Sequence, residues 1–204
     1  MKDFFLTIKK KSQGLYKDKG SKFISLAFPV SSEDEINSII HSLRKEYHEA
    51  RHHCFAWMLG PSGEKYRSND DGEPSGTAGK PILGQIRSGK LTNILVVVIR
   101  YFGGVLLGTG GLTKAYREAT ADALANAEIV ENYVTDTYAI SFRYENTNQI
   151  YKIIDDCEGK QLERVFSEKC RMTICVRESC SQRFVEAIRR IGDEGISVKK
   201  MNTP

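Results

Sequence analysis

Two glycine-rich stretches hold most of the residues able to do chemistry. In the first, Arg100-Tyr101-Phe102-Gly103-Gly104-Val105-Leu106-Leu107-Gly108-Thr109-Gly110-Gly111, five glycines fall within nine residues. Glycine at this density lets a backbone come close to a ligand. Gly110 and Gly111 fall where a following helix exposes unpaired N–H groups and the positive end of its dipole, so an anion fits there, with Arg100 and Lys114 as flanking cations. A tight glycine-packed turn with no ligand accounts for the same glycines equally well.

The second stretch is the loop Asn69–Pro81, with Asp70, Asp71 and Glu73 close together. Three carboxylates in four residues suit Mg²⁺ through oxygen ligands, although the alternating pattern and distal glutamate of a calcium loop are missing. Acidic turns are also common on surfaces. No nucleotide signature completes either stretch. Gly103-x-x-x-x-Gly108 is followed by Thr109 and Gly110 where a Walker loop needs Lys and Ser or Thr, and Gly108-x-Gly110 reaches Thr113 where a dinucleotide fingerprint needs Gly or Ala. His52 and His53 alternate along a strand and point to opposite faces, so they cannot share a metal, and His53 is the only plausible base.

The elements that must hold these loops are legible from periodicity. Ile94–Ile99 is an unbroken apolar run and reads as a strand buried on both faces; His52–Gly60 reads as another central strand. Phe4–Ile8 and Lys22–Val30 read as strands, with Gly14, Asp18 and Gly20 marking turns between them. Ser32 with Glu35 has the form of a capping box before a helix carrying Ile36, Ile39, Ile40 and Leu43. Pro81–Arg87 is a short helix, and a longer alanine-rich helix runs from Leu112 to about Glu128.

From Thr135 the order becomes strand, helix, strand, strand, helix, strand, with helix stripes at Ile150, Ile153, Ile154, Cys157 and at Phe184, Ala187, Ile188, Ile191. That order predicts a ferredoxin-like βαββαβ domain over residues 136–204, after an N-terminal domain over residues 1–131.

The formal net charge of +4 is concentrated at the start, where residues 1–22 carry seven lysines against two aspartates and Lys9, Lys10 and Lys11 form a basic patch. Five cysteines without a C-x-x-C pair read as reduced thiols. No apolar run approaches the eighteen or so residues of a membrane span. The expectation is a cytoplasmic protein without membrane contact.

His52-His53, the segment Ser68–Pro81 and the segment Arg100–Leu112, in this order and spacing, resemble the YigZ/IMPACT family. The Leu106-Leu107 pair and the C-terminal half look like its bacterial branch. The resemblance implies an α+β protein of two domains. The first would be an α/β sandwich like the second domain of a small-subunit ribosomal protein, shared with elongation factor G and small-metabolite kinases; the second would be similar to the last domain of elongation factor G. It further implies a translation-linked regulator whose partner is RNA, the ribosome or a translation factor, eukaryotic IMPACT proteins being translational regulators that act by competition.

On that reading the anion or nucleic-acid site comprises Arg100, Tyr101, Gly103, Gly104, Gly108, Gly110, Gly111, Lys114, His53, Ser75, Thr77 and Lys80. No catalytic residue and no cofactor is assigned. The alternative is an enzyme on a phosphorylated small molecule, with the glycine loop as anion cradle and Asp70, Asp71 and Glu73 holding Mg²⁺.

Overall fold

The computed structural model describes residues 3–166 and 169–201, and these fall into two compact units. One is Phe5–Asn132; the other runs from Tyr133 onward and takes in the residues before Phe5.

The first unit is built on a five-stranded antiparallel sheet of β2 (Ser12–Asp18), β3 (Ser21–Pro29), β6 (Ile94–Tyr101), β4 (His52–Leu59) and β5 (Lys65–Asn69), neighbours in that order. The central strands are apolar throughout because both faces are covered. Ile94, Val96, Val98, Cys54 and Ala56 pack against α2 (Gly79–Ser88) and α3 (Gly108–Ala125). Leu95, Val97, Ile99, Phe55 and Trp57 pack against α1 (Glu33–Glu46) on the other side. Helix α1 starts as its sequence says, with Ser32 Oγ accepting from the Glu35 N–H at 3.2 Å. The Glu35 carboxylate then accepts from the N–H of Ser31, one residue before the cap. Strands β1 (Phe4–Ile8) and β7 (Ile129–Tyr133) form a separate two-stranded sheet.

The second unit holds β8 (Thr135–Phe142), α4 (Thr147–Asp156), β9 (Lys160–Phe166), β10 (Cys170–Arg177), α5 (Glu178–Arg190) and β11 (Ser197–Met201), in the order βαββαβ. Its antiparallel sheet runs β11-β8-β10-β9, so the two middle positions go to the first and third strands of the unit. Ile150, Ile154, Phe184 and Ile188 of the helices close one core with Tyr138, Ile140, Met172 and Ile174 of the sheet. The mixed α+β architecture agrees with the sequence. The expected strand Gln161–Ser167 ends at Phe166, and Ser167 lies outside the described residues.

Two local expectations are corrected and one strand is added. Ser12–Asp18 is a strand although it contains Gly14, because β2 passes so close to α3 that a Cβ at Gly14 would fall 2.3 Å from the Ala123 nitrogen. Glycine is there for proximity to a helix, not for a turn. Ile129–Tyr133 is also a strand, and α3 starts at Gly108, four residues before Leu112, so Gly110 and Gly111 are its first turn. The five cysteines are all free, and among the described residues no helix is long and apolar enough to cross a membrane.

Candidate functional site

Register gathers the loops at one end of the five-stranded sheet. Arg100 faces His52, Tyr101 faces Lys22, and Asn69 faces Phe55, so β5 and β6 finish where β4 begins. The loop after β5, the loop after β6 and the Asp18–Ser21 hairpin turn share this end, and α2 and α3 both point their N-termini at it. Glu73 joins the two long loops: its Oε1 accepts from Arg100 Nη1 at 2.7 Å and from the Tyr116 hydroxyl at 2.8 Å, all three residues being buried. Cys54 donates to the Asp70 carbonyl at 2.9 Å and lies 3.2 Å from the Tyr116 oxygen. Burial pushes the Cys54 thiol and the Tyr116 phenol well up, so both stay protonated.

The three carboxylates expected to hold Mg²⁺ have other partners. Asp70 accepts the backbone N–H groups of Gly76, Ala78 and Gly79 at 2.8 to 3.0 Å, and thus neutralises the start of α2. Burial raises its pKa, but these donors outweigh that and hold it below the ordinary carboxylate range. Asp71 accepts from Arg44 at 2.6 Å and from the His53 N–H at 2.7 Å. Glu73 is turned inward on Arg100 and Tyr116. The oxygens diverge instead of converging on one point, and among the described residues no three His, Cys, Asp or Glu side chains form a group that could hold a metal ion. These acids fix the loop.

The glycine loop divides in two. Gly103 is needed for packing, since a Cβ there would fall 1.9 Å from the Gly20 carbonyl carbon, and its N–H donates to Ser21 Oγ at 3.2 Å. Gly104, Gly108 and Gly110 face open space, with positive φ at Gly104 and Gly108. Helix α3 has no side-chain cap and no acid in its first turn. Among the described residues no carboxylate accepts from its first N–H groups as Asp70 does at α2. Lys114 is exposed one turn further on, and Lys80 is exposed at the start of α2.

Other assigned residues lie differently. Arg100 does not offer its charge to a ligand, being only 6% exposed and paired with Glu73. Ser75 is exposed, while Thr77 is buried and donates its hydroxyl to the Pro74 carbonyl. His53 is buried on the α1 side of the sheet, opposite to the face carrying Arg100. The basic patch is displaced as well. Lys9, Lys10 and Lys11 precede β2, whose far end is about 20 Å from the loops by the rise of a seven-residue strand. Lys9 also pairs with Glu128 at 2.7 Å.

Beside the expected Lys80 and Lys114, four further cations are exposed near the loops: Lys17, Lys19, Lys22 and Arg51; among the described residues the side chains of these four and of Lys114 make no ion pair or hydrogen bond. Lys17 stands directly opposite Lys22, and Lys22 opposite Tyr101. Sequence reading missed this row along with β2. The usable signal was Lys19-Gly20, both at positive φ, the two-residue turn of a hairpin.

Residues 19–124 match the Impact N-terminal domain family, a span that holds both loops and more than half of the chain. The chain belongs to the IMPACT family. It is 37% identical to "IMPACT family member YigZ" of Escherichia coli (strain K12), over 70% of this chain and 71% of that protein. To "IMPACT family member YvyE" of Bacillus subtilis (strain 168) it is 30% identical over 96% of this chain and 90% of that one. A crystal structure described as that of a hypothetical protein matches all of this chain and all of its own, with a TM-score of 0.74 and 27% identity.

Within this IMPACT domain His53 gives a pH test. Burial holds its imidazole below the ordinary value, against the pull of the Asp71 carboxylate 4.0 Å away and of the Tyr47 backbone. The unfolded chain therefore binds a proton that the folded one refuses, so stability is complete above about pH 6.5 and falls as pH drops through the range below it. Denaturant melts at pH 7.5 and 5.5 should show this loss in the native protein, and His53→Gln should remove that part of the difference.

Proposed function

We propose that this IMPACT-family protein is a translation-linked regulator that binds RNA, free or on the ribosome, through the loop end of the Phe5–Asn132 unit, and that it works in the cytoplasm. The observation that carries the reading is a charge imbalance. Among the described residues the side chains of five exposed cations at that end have no ion-pair or hydrogen-bond partner, against only Asp18 and Glu49 as unpaired acids there, while Asp70, Asp71 and Glu73, which would otherwise offset them, are neutralised within the fold. Phosphate is the anion a ribonucleoprotein machine presents in quantity, and the open, uncapped start of α3 suits it too. The translational setting is what membership of the family suggests. The enzyme reading loses its parts, since the proposed metal ligands and Arg100 are engaged structurally.

Filter binding to RNA, beside sedimentation with ribosomes, tests this. Neutralising four phosphates of a single strand should make affinity fall about 50-fold between roughly 50 and 200 mM salt. The triple change Lys17→Gln, Lys22→Gln, Arg51→Gln should lower the slope of log K against log salt by about 2, while changing Lys10 and Lys11 should leave it nearly unaltered. No RNA or ribosome binding at low salt, with magnesium-dependent nucleotide hydrolysis in its place, overturns the proposal.

A further inference from the structure

We infer that the cavity at the end of β6 receives an unpaired nucleobase, stacked on the outer face of Phe102, so that the RNA held at the loop end is single-stranded. The inference rests on the RNA reading above and adds the strandedness and the subsite. The cavity has a volume of about 670 Å³ and is walled by Glu49, Arg51, His52, Tyr101, Phe102 and Leu106, with Arg100 behind. That volume lies within the range of small-molecule sites.

Phe102 and Leu106 are 56% and 83% exposed, unusual for large apolar side chains in so short a segment. The Phe102 ring is not free to wander. The Arg100 guanidinium carbon lies 5.6 Å from its centroid, and Arg100 is itself held by Glu73. One face of the ring is thus backed by a fixed cation while the side chain stays more than half exposed, an arrangement that suits stacking of a flat, electron-rich base.

The phosphate path is given by strand register. Lys17, Lys22 and Tyr101 stand in one row on the same face of β2, β3 and β6, about 5 Å from one to the next. Two like charges directly opposed across a sheet are unfavourable on their own, and an anion lying over them reverses the sign. Tyr101 and Arg51 share the cavity wall, so the basic row leads into the aromatic cavity. A basic track ending in exposed rings is the combination that holds single strands. In a duplex the bases are stacked inside, out of reach of Phe102. Glu49 on the cavity wall gives the exocyclic amine of a base an acceptor.

The test uses the full chain and fluorescence anisotropy with an unstructured single-stranded oligoribonucleotide, a duplex of equal length and polyglutamate. The single strand should bind at least tenfold more tightly than the duplex. Phe102→Ala, at an exposed position, should weaken single-strand binding about tenfold or more with the salt slope unchanged, whereas Lys22→Gln should lower that slope by about 0.7. A 2-aminopurine placed within the oligonucleotide should change its emission on binding the native protein and not on binding Phe102→Ala. Equal affinity for duplex and single strand, or no effect of Phe102→Ala, with salt-dependent RNA binding retained, overturns this inference and leaves the RNA reading standing. Binding of polyglutamate without binding of any RNA overturns both.

Discussion

Glu73→Ala should destabilise the Phe5–Asn132 unit by about 3–5 kcal/mol, because it leaves the Arg100 charge buried without its partner. The side chains of both residues are less than 10% exposed, so water cannot replace the carboxylate, and the Tyr116 hydroxyl loses its acceptor at the same time. The pair itself is not worth that much. Taking two charges from water offsets most of their attraction, and Glu73→Met with Arg100→Met together should recover a large part of the loss. Trp57, the sole tryptophan and buried in this unit, reports its unfolding in urea by fluorescence. If the single change shifts the urea midpoint no more than a surface substitution does, the buried pair is not the tie between the two loops.

Asp70→Ala should cost roughly 3 kcal/mol by stranding the Ala78 and Gly79 N–H groups at the start of α2 and that of Gly76 in the loop before it, each of which now donates to an ionised oxygen. Asp70→Asn, which keeps one acceptor, should cost less. The acid sensitivity has a defined sign. The Asp70 pKa is depressed in the fold, so its contribution is complete above about pH 4 and is lost as pH falls through the folded value beneath that. The native protein should therefore lose stability more steeply below pH 4 than Asp70→Asn does in the same melts. Parallel slopes would place the stabilisation elsewhere than in the ionised carboxylate.

What the sequence made legible follows from which forces act locally. The apolar run Ile94–Ile99, the capping serine before α1 and the helix stripes at Ile150 and Phe184 are set by burial and by neighbours in the chain, and they read correctly. Gly14 misled because its cause is Ala123, over a hundred residues away. The candidate site suffered most from this. Carboxylates and arginines signal charge in a sequence, but only the fold shows whether that charge faces water. Glu73 and Arg100 read as ligands and are each other's partners, while Lys17 and Lys22 counted only toward the basic excess of residues 1–22 and Arg51 drew no reading, yet among the described residues their side chains stand unpaired beside the loops.

The contact between Gly20 and Gly103 bears on how fast and how sharply this surface can respond. With backbone touching backbone and the Gly103 N–H bonded to Ser21, the hairpin carrying Lys17 and Lys22 and the segment carrying Phe102 are restrained to move as one body. The entropy of aligning them is already lost on folding, so a ligand that engages both meets a preorganised surface and has little conformational freedom to remove. Association should then proceed in a single kinetic step without a slow rearrangement, and a side chain introduced at either glycine would loosen the pairing of cation and ring before it altered either one.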